Sequence, residues 1–510
     1  MSLARSWSVA LVGMDGAMVE VEAAIGSGLP RTVLVGLPDA SLYEARDRCR
    51  AAMASAGFGW PADPVTINLS PAALPKAGSH YDLSIVAAVG AARGVCEKDA
   101  LEHRVLIGEL GLDGRVRRVR GLLAALLAAA RHGFTSVVVP TTQLREASLV
   151  DGLSVAGVGD LAELFDVLRG GPGALWSEDI EASEPEAPLR DLADVVGQGE
   201  AKWALEVAAA GRHHLFLHGP PGAGKTLLAE RLPGLLPDLD VAEALEVSAI
   251  HSLAGESLDH GLVRRPPYAD PHHTATVASL VGGGARVALP GAVSWAHRGV
   301  LFLDEAPEFS PRGLEALRVP LESGRVVLAR AAATATYPAS FQLVLAANPC
   351  PCGLAGTPGA RCRCAPMTVR RYAERVSGPI LDRIDIHQRV RPVRAAFLRA
   401  TSHVGDCTAV VAERVLAARA RQRERLGPIG WRTNAEVPGT VLRRELPLPE
   451  GTDILDDAVQ AGRLSARGVD KVLRLAWTIA DLAEVARPNK EHVNTALALR
   501  RSEDVLAAGQ

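Results

Sequence analysis

The chain lacks any uninterrupted apolar stretch of membrane-spanning length. The longest, Leu122–Ala130, is Ala/Leu-rich and flanked by Arg120 and Arg131, far short of the roughly 20 residues a bilayer core requires. The opening Met1-Ser-Leu-Ala-Arg-Ser-Trp has no signal-peptide apolar core. These absences point to a soluble, cytoplasmic protein with no membrane partner. Charge of one sign is also missing. With 55 Lys+Arg against 58 Asp+Glu, the formal net charge is −3. That excludes a global nucleic-acid footprint, so any DNA contact must come from local basic clusters. Only 22% of residues are charged, which leaves no large disordered acidic or basic tail. What is plentiful is apolar surface. A hydrophobic fraction of 48% over 510 residues supports several cores, and the length suggests about three domains at roughly 150 residues each.

One octapeptide carries the most chemistry: Gly219-Pro220-Pro221-Gly222-Ala223-Gly224-Lys225-Thr226. It follows the apolar run His214–His218, which reads as a buried strand, and precedes Leu227–Leu232, which reads as a helix start. Strand, glycine-rich loop and helix are the context in which G-x-x-x-x-G-K-[ST] becomes a phosphate cradle. The glycines let backbone N–H groups turn inward, and the helix N-terminus adds a positive dipole. Lys225 is expected to reach the β/γ-phosphates and Thr226 to hold Mg²⁺. The expected ligand is ATP.

A second apolar run, Gly299–Leu303, ends in Asp304 and Glu305. Carboxylates at the C-terminal edge of a buried strand lie where α/β sheets keep their ligands. Asp304 is expected in the Mg²⁺ shell, and Glu305 as the group that polarises the attacking water. A third run, Phe341–Ala347, ends at Asn348. An amide there orients the water or senses the γ-phosphate, or it caps a turn before Pro349.

This order of parts resembles that of AAA+ ATPases. Ser377-Gly-Pro-Ile-Leu-Asp-Arg383-Ile-Asp-Ile-His resembles the segment carrying the arginine finger, and Leu464-Ser-Ala-Arg467-Gly resembles the sensor-2 motif at the start of a lid helix. The resemblance assigns Arg383 and Arg467 to the nucleotide. Because a finger serves a neighbouring subunit, it also implies a ring, most often a hexamer.

The chain divides in two places. Residues 171–190 are rich in Gly, Pro and Glu without hydrophobic periodicity and read as a linker. The stretch from Asp191 resembles the AAA+ entry motif. Near 393–402 the pattern turns helical, with Ala/Arg/Leu periodicity in Thr408–Arg425 and Ser465–Glu484. The expected organisation is an α/β domain over 1–170, an AAA+ core over 191–395 with a parallel sheet and helices on both faces, and a helical lid over 396–510. Candidate strands in the first part are Ser8–Val12, Met18–Ala24, Thr32–Val35, Val65–Leu69, Val105–Glu109 and Ser136–Val139. Candidate helices are Leu42–Ala56, Ser84–Ala92 and Leu122–Ala130. Segments such as Ile67-Asn-Leu-Ser-Pro-Ala and Tyr81-Asp-Leu-Ser-Ile-Val-Ala resemble the Lon-protease-like domain. Active members use a Ser–Lys dyad, but the matching helix, Gly121-Leu-Leu-Ala-Ala-Leu, has no lysine. A serine without a base is a weak nucleophile, so a non-proteolytic scaffold is expected.

Cysteine is scarce, yet four of the seven sit together: Cys350-Pro-Cys352 and Cys362-Arg-Cys364. Four thiolates on a Gly/Pro-rich loop can surround one tetrahedral Zn²⁺, and a reducing cytoplasm favours that over disulfides. A redox role or no metal is the alternative. Between the phosphate loop and Asp304 lies an insertion with adjacent His272 and His273. On an extended segment such neighbours face opposite ways, so one ion is not expected to take both. Six arginines are nominated for DNA inside a ring pore: Arg264, Arg265, Arg286 and Arg298 in the insertion, and Arg325 and Arg330 on a hairpin spanning Arg318–Pro338.

Taken with Pro271-His-His-Thr, Gly299-Val-Leu-Phe-Leu-Asp-Glu-Ala-Pro-Glu-Phe and Ala347-Asn-Pro-Cys-Pro-Cys-Gly, the chain resembles the ComM/YifB family of magnesium-chelatase-like AAA+ proteins over essentially its full length. The resemblance implies a homo-hexameric DNA motor driving branch migration on single-stranded or branched DNA. It places that motor in natural transformation or recombination, with recombinase machinery as an expected partner. The rivals are a magnesium-chelatase motor subunit inserting Mg²⁺ into a porphyrin, and an ATP-dependent Lon-like protease.

Overall fold

The computed structural model describes residues 2–36, 40–76, 78–175, 190–284, 288–330, 333–356, 361–393 and 405–501. Most of the expected linker and the expected start of the lid at 396 lie outside these residues.

The N-terminal part is a seven-stranded mixed sheet. Its spatial order is Thr32–Val35, Val65–Ser70, Asp15–Ile25, Ser2–Val12, Arg104–Leu106, Ser136–Pro140 and Ser154–Val158. The long first hairpin turns at Gly13, and its strands alternate buried and exposed residues, as a half-covered antiparallel pair should. Two elements absent from the expected set, the strand Ser154–Val158 and the helix Leu161–Leu168, complete this part. The strand is short and carries a Gly, whereas the helix has a clear apolar face of Leu161, Leu164, Phe165 and Leu168 that the sequence reading did not use.

The second sheet has five parallel strands. In spatial order they are Tyr268–Ala269, Val300–Leu303, Gln342–Ala347, Leu215–His218 and Ile386–Arg389. The three central strands are buried at every position, which explains their unbroken apolar sequence. Tyr268–Ala269 has two residues and carries no sequence signal.

The helix Leu122–Arg131 joins the two sheets. One side packs on the N-terminal hairpin and the other on the helix Val241–Ala254, so its Ala/Leu sequence is apolar nearly all round. Gly121 adopts a left-handed φ of 73° there, and an added Cβ would lie 2.7 Å from Leu253. Its N–H donates to the Ser252 carbonyl at 3.0 Å. Buried Glu146 accepts from Leu123 N–H at 3.1 Å and from the Ser252 hydroxyl at 2.5 Å, while Arg118 forms two hydrogen bonds to Asp259.

The helices Thr408–Leu426 and Ala466–Leu482 pack on the helix Gly199–Gly211, and Lys490–Arg501 packs on Ala466–Leu482 and on the edge strand Ile386–Arg389. No described helix is long and apolar enough to cross a membrane. A buried ion pair fastens the helices to the sheet. Lys471 Nζ donates to Asp385 Oδ1 at 2.9 Å and to the Ile384 carbonyl at 3.1 Å, and both charged side chains are buried. Burial alone would raise the Asp385 carboxyl. The Lys471 ammonium more than offsets it, with help from His213, and holds the carboxyl well below the ordinary range. Burial also pulls Lys471 down, so the net stabilisation is smaller than the Asp385 shift alone suggests. Lys471→Met should destabilise the chain by about 3–5 kcal/mol by leaving a buried carboxylate unpaired. Adding Asp385→Leu should recover part of the loss. Chemical unfolding reads both, and an unchanged midpoint for the single variant would rule out this role.

Candidate nucleotide site

Five of the groups expected at the nucleotide, Lys225, Thr226, Asp304, Glu305 and Asn348, converge on the C-terminal edge of the second sheet. The loop 219–224 leaves the strand Leu215–His218 and enters the helix Lys225–Ala229. Gly222 and Gly224 have left-handed φ values of 72° and 97°, which a side chain would strain. Gly219 is required by space, since an added Cβ would sit 2.1 Å from the Val390 carbonyl oxygen. Lys225 is buried, and its Nζ donates to the carbonyls of Gly219 at 2.8 Å and Pro220 at 3.1 Å and to Asn348 Oδ1 at 2.9 Å. Burial lowers its pKa, opposed by the charges of Asp304 and Glu305. The ammonium therefore rests in a ring of acceptors that an incoming phosphate can replace.

Thr226 donates its hydroxyl to Asp304 Oδ2 at 2.7 Å. These oxygens form the kind of hard donor pair that suits Mg²⁺. Asp304 Oδ1 also accepts from Glu305 N–H at 2.8 Å, and Glu305 holds a left-handed φ of 50°. The Glu305 side chain meets a residue the sequence reading left unused, with His273 Nδ1 lying 3.4 Å from Glu305 Oε2. The expectation that His272 and His273 face opposite ways fails. A turn at 273–274 breaks the extended alternation, and the rings stand 4.1 Å apart. His272 pairs instead with the Thr274 hydroxyl at 2.8 Å.

Arg383 and Arg467 lie elsewhere. They share a cleft of about 310 Å³ with His214, Asp385 and Lys471. His214 and Asp385 precede their strands, so this cleft is at the N-terminal edge of the sheet. A four-residue strand, about 13 Å of chain, separates it from the phosphate loop. Arg383 is held by Glu322 and donates to the Pro379 carbonyl at 2.6 Å. Arg467 is exposed, 3.6 Å from Asp382. Arg500 approaches the same Asp382 at 3.7 Å.

The four cysteine sulfurs all lie within 4.8 Å of one another. Cys350 is 3.3 Å from Cys352 and 3.8 Å from Cys362, and Cys352 is 3.6 Å from Cys362. A tetrahedron of thiolates around zinc has edges of about 3.8 Å, so the residues fit the ion. Backbone donation, led by Leu354 N–H, pulls the Cys352 thiol down to about 6. Cys362 is pushed up to about 12. The Cys364 N–H lowers it, and desolvation with the neighbouring sulfurs of Cys352 and Cys350 outweighs that.

The nominated arginines separate. Arg325 and Arg330 are exposed on and beside the strand Arg325–Ala329 of a hairpin with Thr334–Pro338, and Arg330 donates to the Gly284 carbonyl at 3.1 Å. Arg264 is exposed and Arg265 half-buried. Arg286 lies outside the described residues. Arg298 needs correction: it sits between Glu246 at 3.4 Å and Glu243 at 3.5 Å and has little charge to spare for an anion.

A parallel sheet with a phosphate loop after the strand next to one edge, and an acidic pair two strands across, defines a P-loop ATPase of the AAA+ class. Three family descriptions match nearly the whole chain: "Subunit ChlI of Mg-chelatase" over residues 21–143, "Magnesium chelatase, subunit ChlI" over 191–398, and "Magnesium chelatase, subunit ChlI C-terminal" over 405–500. An uncharacterized protein of Mycobacterium tuberculosis H37Rv is 53% identical, covering 98% of this chain and 99% of that protein. YifB of Escherichia coli K12 is 39% identical over 99% and 98%. Competence protein ComM of Haemophilus influenzae Rd is 38% identical over 98% of each. The chain belongs to the ComM/YifB family of magnesium-chelatase-like AAA+ proteins.

Two substitutions separate binding from hydrolysis. Lys225→Ala should abolish nucleotide binding, because the phosphate charge is left without its cation. Glu305→Gln should bind ATP normally and turn it over slowly. Nucleotide binding and steady-state phosphate release measure the two, and wild-type turnover by Glu305→Gln would reject Glu305 as the water-activating carboxylate.

Proposed function

We propose that the chain is an ATP-hydrolysing motor that assembles as a homo-hexameric ring. It would move single-stranded or branched DNA to drive branch migration in recombination, including the integration of incoming strands in natural transformation. The observation that carries this reading is the separation of the phosphate loop from the two arginines across one sheet. A chain built this way has half of a hydrolytic site at each edge. In a ring, Arg383 and Arg467 of one copy meet the phosphates cradled by Lys225 of the next.

In that arrangement Lys225 and the loop amides hold the phosphates, and Asn348 steers Lys225. Thr226 and Asp304 would hold Mg²⁺, which neutralises phosphate charge. Glu305 accepts a proton from the attacking water, and the arginines stabilise charge developing on the transferring group. Arg383 must leave Glu322 to do so, which makes hydrolysis dependent on assembly. Cys350, Cys352, Cys362 and Cys364 would hold Zn²⁺ as a structural ion. For DNA, supporting features are the hairpin bearing Arg325 and Arg330 and the likeness to ComM, a competence protein.

The magnesium-chelatase motor reading uses the same core. The full-length likeness to YifB and ComM, which includes the N-terminal sheet and the four-cysteine loop, favours the DNA reading. The protease reading lacks its base. Ser79 donates to Glu109, and Lys76 Nζ donates to the carbonyls of Pro71 and Gly36, the latter at 3.2 Å.

Arg383→Ala should keep ATP binding and lose hydrolysis, since such arginines contribute roughly 10³–10⁵ in rate. Mixed with Lys225→Ala it should regain activity, because some interfaces then pair an intact loop with an intact arginine. Mixed rings that stay inactive at every ratio would contradict action between copies. DNA affinity should require ATP and fall steeply with salt, each neutralised phosphate adding about −0.7 to −0.9 to the slope of log K against log salt. Replacing Arg325 and Arg330 by Ala should flatten that slope and remove DNA stimulation while basal ATPase persists. A double variant with an unchanged slope would exclude the hairpin from the DNA path.

A further inference from the structure

The four-cysteine loop is built against the nucleotide site at three points. It begins two residues after Asn348, whose Oδ1 takes the Lys225 ammonium at 2.9 Å, and its first ligand, Cys350, is fully buried. Gly353, between the two cysteine pairs, is itself buried and packs on the phosphate loop. An added Cβ would stand 2.4 Å from Cδ and Cγ of the Pro221 ring. Further along, the Gly356 carbonyl accepts from Arg389 Nη2 at 3.2 Å, which ties the loop to the edge strand beside the phosphate loop.

From Cys350 to Cys364 the described backbone forms only turns and bends. Among the described residues, local turns such as Gly353 N–H to the Cys350 carbonyl at 2.9 Å and donation from Ala355 N–H to Cys350 Sγ accompany the sulfur cluster. Four free thiols offer only weak hydrogen bonds, which are poor constraints on such a loop. A cation bound by all four would fix the positions of Cys350 and Cys352 together. Gly353 follows Cys352 directly, so whatever fixes Cys352 also fixes Gly353 on Pro221. Asn348 stands at the other end, one proline from Cys350.

From this geometry we infer that the ion held by the cysteine loop is an integral part of the nucleotide site, so that nucleotide affinity depends on metal occupancy through Gly353–Pro221 and Asn348–Lys225. The inference rests on the nucleotide and zinc readings above. It adds a dependence between the two sites that neither reading requires. A zinc loop serving only a subunit interface would leave nucleotide binding by the isolated chain unchanged.

The test uses the full chain, with zinc content measured on each sample and a fluorescent ATP analogue as probe. Zinc-loaded wild type is compared with chelator-treated protein, with the Cys352→Ser/Cys362→Ser double variant, and with Gly353→Ala. Chelation should weaken analogue binding on the order of tenfold, the scale of one lost hydrogen bond to a charged group, and added Zn²⁺ should restore it. The double-serine variant should match the chelated protein and not respond to Zn²⁺. Gly353→Ala should retain zinc yet bind the analogue as weakly, because the new Cβ displaces Pro221. Circular dichroism serves as the control for folding. Unchanged affinity in zinc-free protein, or in zinc-loaded Gly353→Ala, overturns the inference and leaves both underlying readings standing. Zinc-free wild type, purified without chelator, overturns the zinc reading and this inference with it. Wild type that binds zinc but no analogue overturns the nucleotide reading instead.

Discussion

Everything at this site follows from the direction of one buried strand. Leu215–His218 runs parallel to both neighbours, with Leu215 beside Val344 and Ile386 and His218 beside Ala347 and Arg389. Parallel pairing sends every strand end to the same edge. Lys225, Thr226, Asp304, Glu305 and Asn348 therefore meet without any long connection, and Arg383 is sent to the opposite edge. The helical segment reinforces the division. Lys471, Arg467 and Arg500 all grip residues 382–385, so the lid helices are fastened to the arginine edge rather than folded over the chain's own phosphate loop. On the proposed reading, the same parallel pairing that gathers the phosphate-binding groups keeps Arg383 and Arg467 away from them within one chain.

The other attachments are equally local. The N-terminal sheet is bound to the helix Val241–Ala254 and, through Gly13 and Met14, to the hairpin strand Thr334–Pro338. It thus touches the elements between the phosphate loop and Asn348, where the proposed DNA hairpin also lies. His273 approaches Glu305 from the same insertion. The hairpin touches the insertion through Arg330 and Gly284 and the N-terminal sheet through Thr336 and Met14, whereas the lid is tied through Lys471 to Ile384 and Asp385, beside Arg383.

Much of this was legible in the sequence, and the reasons are specific. The strands Leu215–His218, Val300–Leu303 and Gln342–Ala347 are buried on both faces and read as plain apolar runs. Thr32–Val35 is a short apolar, β-branched run, and the helices Thr408–Leu426 and Ala466–Leu482 carried Ala/Arg/Leu periodicity. Boundaries shifted where capping decides them: the helix after the phosphate loop begins at Lys225, ahead of its first apolar residue. What escaped was set by tertiary contact. The two-residue strand Tyr268–Ala269 exists because Val300–Leu303 offers it an edge. The contacts His273–Glu305, Arg383–Glu322 and Gly353–Pro221 join residues 32, 61 and 132 positions apart, and no local pattern records them. Arg298 was misjudged for the same reason, since Glu243 and Glu246 approach it from a distant helix.

The central claim is that one chain holds only half of a hydrolytic site. The most direct measurement is specific ATPase activity across a dilution series, with assembly state followed on the same samples by light scattering or mass photometry. The account predicts that activity per chain falls toward zero as rings dissociate and recovers when they re-form, while nucleotide binding per chain persists. Specific activity that stays constant down to fully monomeric protein would contradict it.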